Sequence, residues 1–110
     1  MYGIKENNRT LDDGTIIETF ERDVISCNIL EAEAGTTGLR GGDTGHGGRT
    51  YLRIEDVGGS DITIKPIEAK PLRGNGGVEI ILGGDCELET IIKALKFIIK
   101  ALKYQKKVLS

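Results

Sequence analysis

The chain is poor in the side chains that most often build metal and redox sites. Its 110 residues include one histidine, two cysteines and no tryptophan. A single histidine cannot supply a His-rich zinc or di-iron cage within one chain. Cys27 and Cys86 lie far apart, and no Cys-x-x-Cys motif is present. We therefore expect no metal and no cofactor, and two free thiols in a reducing compartment.

Long apolar runs are also missing. The longest apolar stretches are too short to cross a bilayer, and residues 1–10 (MYGIKENNRT) lack the apolar segment of a signal peptide. The net charge of −2 argues against binding of polymeric nucleic acid through overall electrostatics. We expect a cytoplasmic protein whose partners include neither a membrane nor polymeric nucleic acid.

Alternating apolar and polar residues predict strands at 28–34, 49–56, 61–67 and 77–84. Their short connections favour antiparallel pairing. Residues 16–27 have weak strand character, and residues 1–15 are predicted to be an N-terminal arm that can be flexible. The predicted fold is α+β, with residues 16–110 forming a single ligand-binding domain. In that domain an antiparallel sheet of about four to five strands packs against a long C-terminal helix.

The C-terminal helix is the clearest element in the sequence. Asp85 follows Gly83-Gly84 and suits a helix N-cap, and acidic residues occupy the first turn. The apolar stripe expected to face the sheet consists of Leu88, Ile91, Ile92, Leu95, Ile98, Ile99 and Leu102. A lysine stripe comprises positions 93, 96, 100, 103 and 107.

A third stripe gives this helix nearly two apolar faces. It consists of Ala94, Phe97, Ala101, Tyr104 and Val108. One interpretation is partial burial against the N-terminal arm. We expect instead a helix–helix seam between subunits of a homo-oligomer, because small alanines permit close approach and aromatics supply contact area.

Seven of the sixteen glycines lie in residues 35–50, GTTGLRGGDTGHGGRT. The stretch matches neither the P-loop nor the dinucleotide-binding fingerprint. Glycines let backbone amides converge on phosphate oxygens, and the flanking Arg40 and Arg49 suit phosphate as well. A second loop repeats the theme with Arg73 and Asn75. We predict a site for a small phosphorylated ligand; the alternative is a mobile surface connection.

Support for catalysis is weak. His46 and Asp43 could form a general acid–base pair, but a lone histidine in a polar loop is more often a hydrogen-bonding surface residue. We therefore expect a binding protein and not an enzyme. Two alternatives stay open: a phosphodiesterase or hydrolase acting on a cyclic nucleotide signal, and a structural protein that only assembles into oligomers.

Residues 28–103 resemble the first Thoeris anti-defence family, small phage and prophage proteins that act as sponges. The most specific parts are GGDTGHGGRTYLRIED (41–56) and LGGDCELETIIKAL (82–95). The resemblance implies a homo-oligomer, a dimer or higher, with a hexamer suggested. It also implies binding of a cyclic ADP-ribose isomer, the immune signal of TIR-domain enzymes, inside the bacterial host cell. Members sequester this signal without cleaving it, and some also hold cyclic oligonucleotide signals.

This ligand has a pyrophosphate, ribose hydroxyls and an adenine, and the predicted site residues divide accordingly. Arg40 and Arg49 are expected on phosphate, together with backbone amides of Gly41, Gly42, Gly47 and Gly48. Asp43, Thr44 or His46 could bond ribose hydroxyls. The candidates for stacking on adenine are Tyr51, Phe97, Tyr104 and Arg73, with Asn75 beside Arg73 in the second loop. Arg49→Ala is expected to weaken binding sharply.

Overall fold

The computed structural model describes residues 3–25, 28–41 and 47–109. Within these ranges the chain forms six strands followed by one helix. They are β1 Ile4–Thr10, β2 Ile16–Ile25, β3 Ile29–Thr36, β4 Thr50–Gly58, β5 Ile62–Ile67, β6 Gly77–Leu82 and α1 Asp85–Leu109. The predicted α+β class, with an antiparallel sheet packed against a long C-terminal helix, is confirmed.

The sheet that carries the helix is an antiparallel meander in the order β1-β2-β3-β4. Strands β5 and β6 pair with each other in a separate two-stranded sheet. This differs from the sequence prediction, which placed residues 61–67 and 77–84 in the main sheet and 1–15 in an arm. Residues 4–10 instead pair along their whole length with β2, from Ile4 opposite Arg22 to Thr10 opposite Ile16.

Helix α1 packs on β2 and β3 through small side chains. Its buried residues include Ala94, Phe97 and Ala101, and the sheet side of the same cluster includes Ala32 and Ala34. Alanines on both sides let the helix approach the strands closely, whereas a face of bulky leucines would hold the helix further away. The alanine stripe is thus the inner face of the helix.

This packing overturns the predicted roles of two helix stripes. The prediction that Ala94, Phe97 and Ala101 form a subunit seam is wrong, because all three are buried within their own chain. Leu95 and Ile99, predicted to face the sheet, are exposed instead. Periodicity identified two apolar stripes, but the alanine surface of β3 decides which one is buried.

Gln105 ties the last turns of α1 to the ends of two strands. Its side chain is buried, and its Oε1 accepts a hydrogen bond of 2.9 Å from the Thr36 amide. Its Nε2 donates to the Glu18 carbonyl at 2.8 Å. Because both backbone groups would otherwise lack these partners, the amide side chain fixes where the helix ends relative to β2 and β3.

The face of the sheet opposite the helix carries a cluster of charges centred on Glu33. The Glu33 side chain is fully buried, and its carboxylate accepts hydrogen bonds from Arg9 Nε at 2.8 Å and Arg53 Nε at 3.1 Å. Thr19 Oγ1 donates to it as well. The Arg9 hydrogen bond, with those from Thr19 and Arg53, outweighs burial and lowers the pKa of Glu33 to about 2.

The cysteine prediction is wrong where the structure describes it. Cys86 is disulfide-bonded, and no cysteine among the described residues is free; the chain's other cysteine, Cys27, lies outside them. The expectation of a reducing compartment, which rested on two free thiols, therefore loses its support. Among the described residues, no helix has the length and apolar character needed to cross a membrane.

The Glu33 cluster predicts a specific acid sensitivity. The pKa of Glu33 is about 2 in the fold against an ordinary 4.5, so its stabilising contribution is full above pH 4.5 and is lost as the pH falls toward 2. Glu33→Gln should lower the free energy of unfolding at pH 7 by about 1–3 kcal/mol and flatten its decline between pH 5 and 2. Urea unfolding across this pH range measures both effects.

The matched control is Glu55→Gln, which removes an exposed carboxylate of the same cluster. This variant keeps Glu33, so it should retain most of the acid sensitivity. An identical pH dependence in wild type and Glu33→Gln would contradict the assignment of this sensitivity to Glu33.

Candidate functional site

The glycine-rich loop between β3 and β4 is closed at its base by paired hydrogen bonds. The Thr37 amide donates to the Arg49 carbonyl at 3.0 Å, and the Arg49 amide donates to Thr37 Oγ1 at 3.0 Å. Further out, the Gly47 amide donates to the Gly41 carbonyl at 3.0 Å. The described parts of the loop are thus held together across it, which is unlike an unsupported surface connection.

Two glycines are required by the local geometry of this loop. Gly41 has a φ of 69°, a conformation that side chains disfavour. A Cβ on Gly48 would lie 2.6 Å from the Gly38 carbonyl oxygen. The two arms of the loop therefore approach more closely than any residue other than glycine allows at position 48.

A cavity of about 520 Å³ lies between this loop and the last turns of α1. Its volume falls within the range of small-molecule sites. The lining residues are Thr36, Gly38, Leu39, Arg40, Gly41, Gly48, Thr50, Leu102 and Lys106. Two of them are cationic and, among the described residues that line it, none is acidic. The cavity therefore favours an anion although the chain as a whole carries a charge of −2.

The two arginines that flank the loop have different surroundings. Arg40 lines the cavity, and its Nε donates to the Thr37 carbonyl at 2.9 Å. Arg49 Nε donates to the Asp13 carboxylate at 2.8 Å, and its Nη1 donates to the Gly48 carbonyl at 2.9 Å. Arg40 thus faces the cavity, whereas Arg49 fastens the loop to the turn between β1 and β2.

Asp13 is itself held in the charged form. A hydrogen bond from the Thr15 backbone and a second from Arg49 lower the pKa of Asp13 to about 2. Arg49 therefore faces a carboxylate that stays ionised at any physiological pH. Its contacts suit a positioning residue for the loop better than a direct ligand contact.

The aromatic candidates lie away from the cavity. Tyr51 is on the opposite face of the sheet, with the Arg9 guanidinium 5.6 Å from its ring centre. Phe97 is in the core, and Tyr104 packs edge-on against Phe20 with ring centres 6.0 Å apart. No aromatic side chain is among the described residues that line the cavity.

The remaining candidates divide into two groups. Arg73 and Asn75 lie in the turn that joins β5 and β6 and do not line the cavity. Four others fall outside the described residues: Gly42, Asp43, Thr44 and His46. Their proposed contacts with ribose and amides stay predictions. Of the predicted site, the structure places Arg40, Gly41 and Gly48 in the cavity wall.

Sequence reasoning missed the helix side of the cavity. Lys106 and Leu102 come from α1, and Leu39, Thr36 and Thr50 come from the ends of the loop. One signal pointed to Lys106. Lys106 follows Leu102 by four residues, so it lies at the next position of the apolar stripe. It places a charge there and does not belong to the lysine stripe.

No protein-family model, curated protein or solved structure matches the chain. Within the described residues there is also no group of three or more His, Cys, Asp or Glu side chains placed to hold a metal ion. The function of the chain is therefore inferred from its cavity and from the resemblance of its sequence.

Gly48 provides a test of how tightly the loop is built. Gly48→Ala should lower the free energy of unfolding by about 1–3 kcal/mol, because the new Cβ meets the Gly38 carbonyl oxygen. Gly58→Ala is the matched control, since a Cβ there has nothing within 4 Å, and its stability should stay close to wild type. Urea-unfolding midpoints compare the two; equal losses would contradict the close packing at Gly48.

Proposed function

We propose that the chain binds a small phosphorylated ligand non-covalently in the cavity between the glycine-rich loop and α1. The observation that carries this proposal is the combination of Arg40, Lys106 and the closely approaching Gly38 and Gly48 around one space of about 520 Å³. The ligand we propose is a cyclic ADP-ribose isomer, glycocyclic ADP-ribose, which the resemblance to the Thoeris anti-defence family implies.

The charges of the cavity support a ligand with phosphate groups. Arg40 and Lys106 approach from the loop and from the helix, so they can contact two phosphates or two sides of one. A guanidinium offers planar paired hydrogen bonds, and an ammonium acts as a compact positive charge. Arg49 adds to this arrangement indirectly, through its hydrogen bond to the Gly48 carbonyl.

The uncharged walls suit the rest of such a ligand. Leu39 and Leu102 give the cavity an apolar surface against which a base can lie. The Thr50 hydroxyl lies 3.0 Å from that of Thr36, and Thr50 is exposed at the cavity wall. It is available to bond a ribose hydroxyl.

A sponge gains only from tight binding, so its site should be ordered before the ligand arrives. The hydrogen bonds across the loop base and the Gln105 tie at the end of α1 support such an ordered site. Retention of an immune signal would act in the host cytoplasm, as the resemblance implies. We propose a homo-oligomer for the same reason, and the exposed apolar side chains of α1 support it.

The proposal is tested by incubating the protein with glycocyclic ADP-ribose and measuring bound mass by native mass spectrometry. We expect a stoichiometric complex, and heating the complex should release the ligand unchanged. A cleaved product would favour a hydrolase that uses His46 and Asp43. Absence of binding to this ligand and to a panel of cyclic nucleotides would favour a purely structural oligomer.

The cavity assignment is tested with Arg40→Ala and Lys106→Ala. Each removes one charge-assisted contact, so each should weaken ligand binding by tenfold or more in calorimetric titration. The control is Lys107→Ala, which removes a lysine from the same turn that does not line the cavity. An equal affinity for all four proteins would place the ligand elsewhere.

A further inference from the structure

The hydrogen-bonded ladder between β2 and β3 stops before either strand ends. Its last pair is Thr19 opposite Gly35, and in the same register the next pair would be Glu18 opposite Thr36. Both of these residues belong to their strands, and Thr36 still pairs with Thr50 of β4. The strands β2 and β3 are therefore separated at this position, and the separation needs a physical cause.

The side chain of Gln105 fills the gap between the two strands. Its Oε1 accepts the hydrogen bond from the Thr36 amide, and its Nε2 donates to the Glu18 carbonyl. In a regular antiparallel ladder that amide and that carbonyl would bond to each other. The side-chain amide gives each of them a partner, so it holds the strands apart without leaving a buried backbone group unpaired. Gln105 is only 3% exposed, so water has little access to these two bonds.

The separation begins where the glycine-rich loop leaves the sheet. At Gly35 the two strands are still so close that a Cβ would meet the Glu18 carbonyl oxygen. One residue later the Gln105 amide lies between them, and from Thr36 onward the chain lines the cavity. A direct continuation of the β2–β3 ladder would hold residues 36–38 beside β2 instead. The inserted amide thus determines the direction in which the loop departs.

The Thr36 hydroxyl passes this position on to both arms of the loop. It accepts a hydrogen bond from the Gly38 amide at 3.1 Å and donates to the Arg49 carbonyl at 3.1 Å. The Thr50 hydroxyl lies 3.0 Å away and can donate to the remaining lone pair. Three hydrogen bonds are the full capacity of a hydroxyl group. Whatever fixes Thr36 therefore fixes the start and the end of the loop together.

We propose that Gln105 is a positioning residue for the ligand site. Its amide holds the loop wall, which carries Arg40, at a fixed spacing from the helix wall, which carries Lys106. Gln105 does not itself line the cavity, so it acts through Thr36 and through its neighbour Lys106. Two cations held in register can bind two anionic groups of one ligand without a cost for ordering them. This inference rests on the ligand site proposed above.

Amide hydrogen exchange measured by NMR tests the positioning role without any ligand. Gln105→Met keeps the length of the side chain and removes both hydrogen bonds. The Thr36 amide should then exchange about tenfold faster or more, because it loses its partner. The amides of Gly38 and Arg49 should also exchange faster, because their partners move with Thr36. Faster exchange at Thr36 alone would show a local structural role and contradict the proposal.

Thr90→Val is the matched control for a general loss of stability. Thr90 is fully buried on the same helix, and its Oγ1 donates to Asn28 Oδ1 at 2.6 Å. It lies roughly 22 Å from Gln105 along the helix, from the 1.5 Å rise per residue. This variant should leave the exchange of the loop amides and the ligand affinity as in wild type. Equal acceleration of the loop amides in both variants would overturn the proposal.

Thr36→Val tests the same connection from the other side and does not depend on whether Gln105→Met folds. It keeps the Thr36 backbone amide, and therefore the hydrogen bond to Gln105, but removes the hydroxyl. The Gly38 and Arg49 amides should exchange faster while the Thr36 amide stays protected. An unchanged Arg49 amide would show that the connection does not run through this hydroxyl, which would contradict the proposal.

A double-mutant cycle in calorimetric titration tests the consequence for the ligand. Gln105→Met should weaken the binding of glycocyclic ADP-ribose by about tenfold or more. In an Arg40→Ala background the same change should cost only about threefold or less, because a single cation has no second cation to be held in register with. Equal losses in the two backgrounds would overturn the positioning role.

The outcomes separate this inference from the proposed function. A wild-type chain that binds no glycocyclic ADP-ribose would contradict the proposed ligand, and the exchange rates of the loop amides would still decide the role of Gln105. A wild type and a Gln105→Met variant that bind this ligand equally well would contradict the positioning role alone.

Discussion

The close contact between α1 and β3 determines most of what this molecule presents to its surroundings. Alanines on both elements bring the helix axis near the strands, and this places Phe97 and Ile98 in the core. The same orientation of the helix about its own axis directs Leu95 and Ile99 outward and places Lys106 in the cavity wall beside the loop. The exposed apolar side chains of α1 and the cationic cavity thus both result from the way α1 packs on β3.

Much of the fold could be predicted from the sequence because alternation and helix capping are local signals. The strands at 29–36 and 50–58 and the start of α1 at Asp85 follow from them. Strand β1 could not be found this way, since IKENNRT lies at the edge of the sheet and shows little alternation. The inner face of α1 was equally hidden, because it depends on alanines 60 or so residues earlier in the chain.

The candidate site was predictable in part for the same reason. A run of glycines with flanking arginines is a local pattern, and it led to Arg40, Gly41 and Gly48. Lys106 and Leu102 enter the cavity through tertiary packing, and the only local sign of this is that Lys106 continues an apolar stripe with a charge. Arg49 shows the converse case, since its neighbours in sequence suggested a phosphate contact while its partner in space is Asp13.

The two faces of the main sheet carry different arrangements of charge. Glu33 and its neighbours Glu21 and Glu31 gather around Arg53 on the face without a helix, whereas the helix side ends in a cavity with two cations.

The hairpin of β5 and β6 leaves and rejoins the chain where the Gly83 amide donates to the Asp61 carbonyl at 2.9 Å. Its two ends therefore meet as those of a tight turn do. Because its ends meet, the hairpin is an insertion in the backbone, and its length can vary without displacing α1.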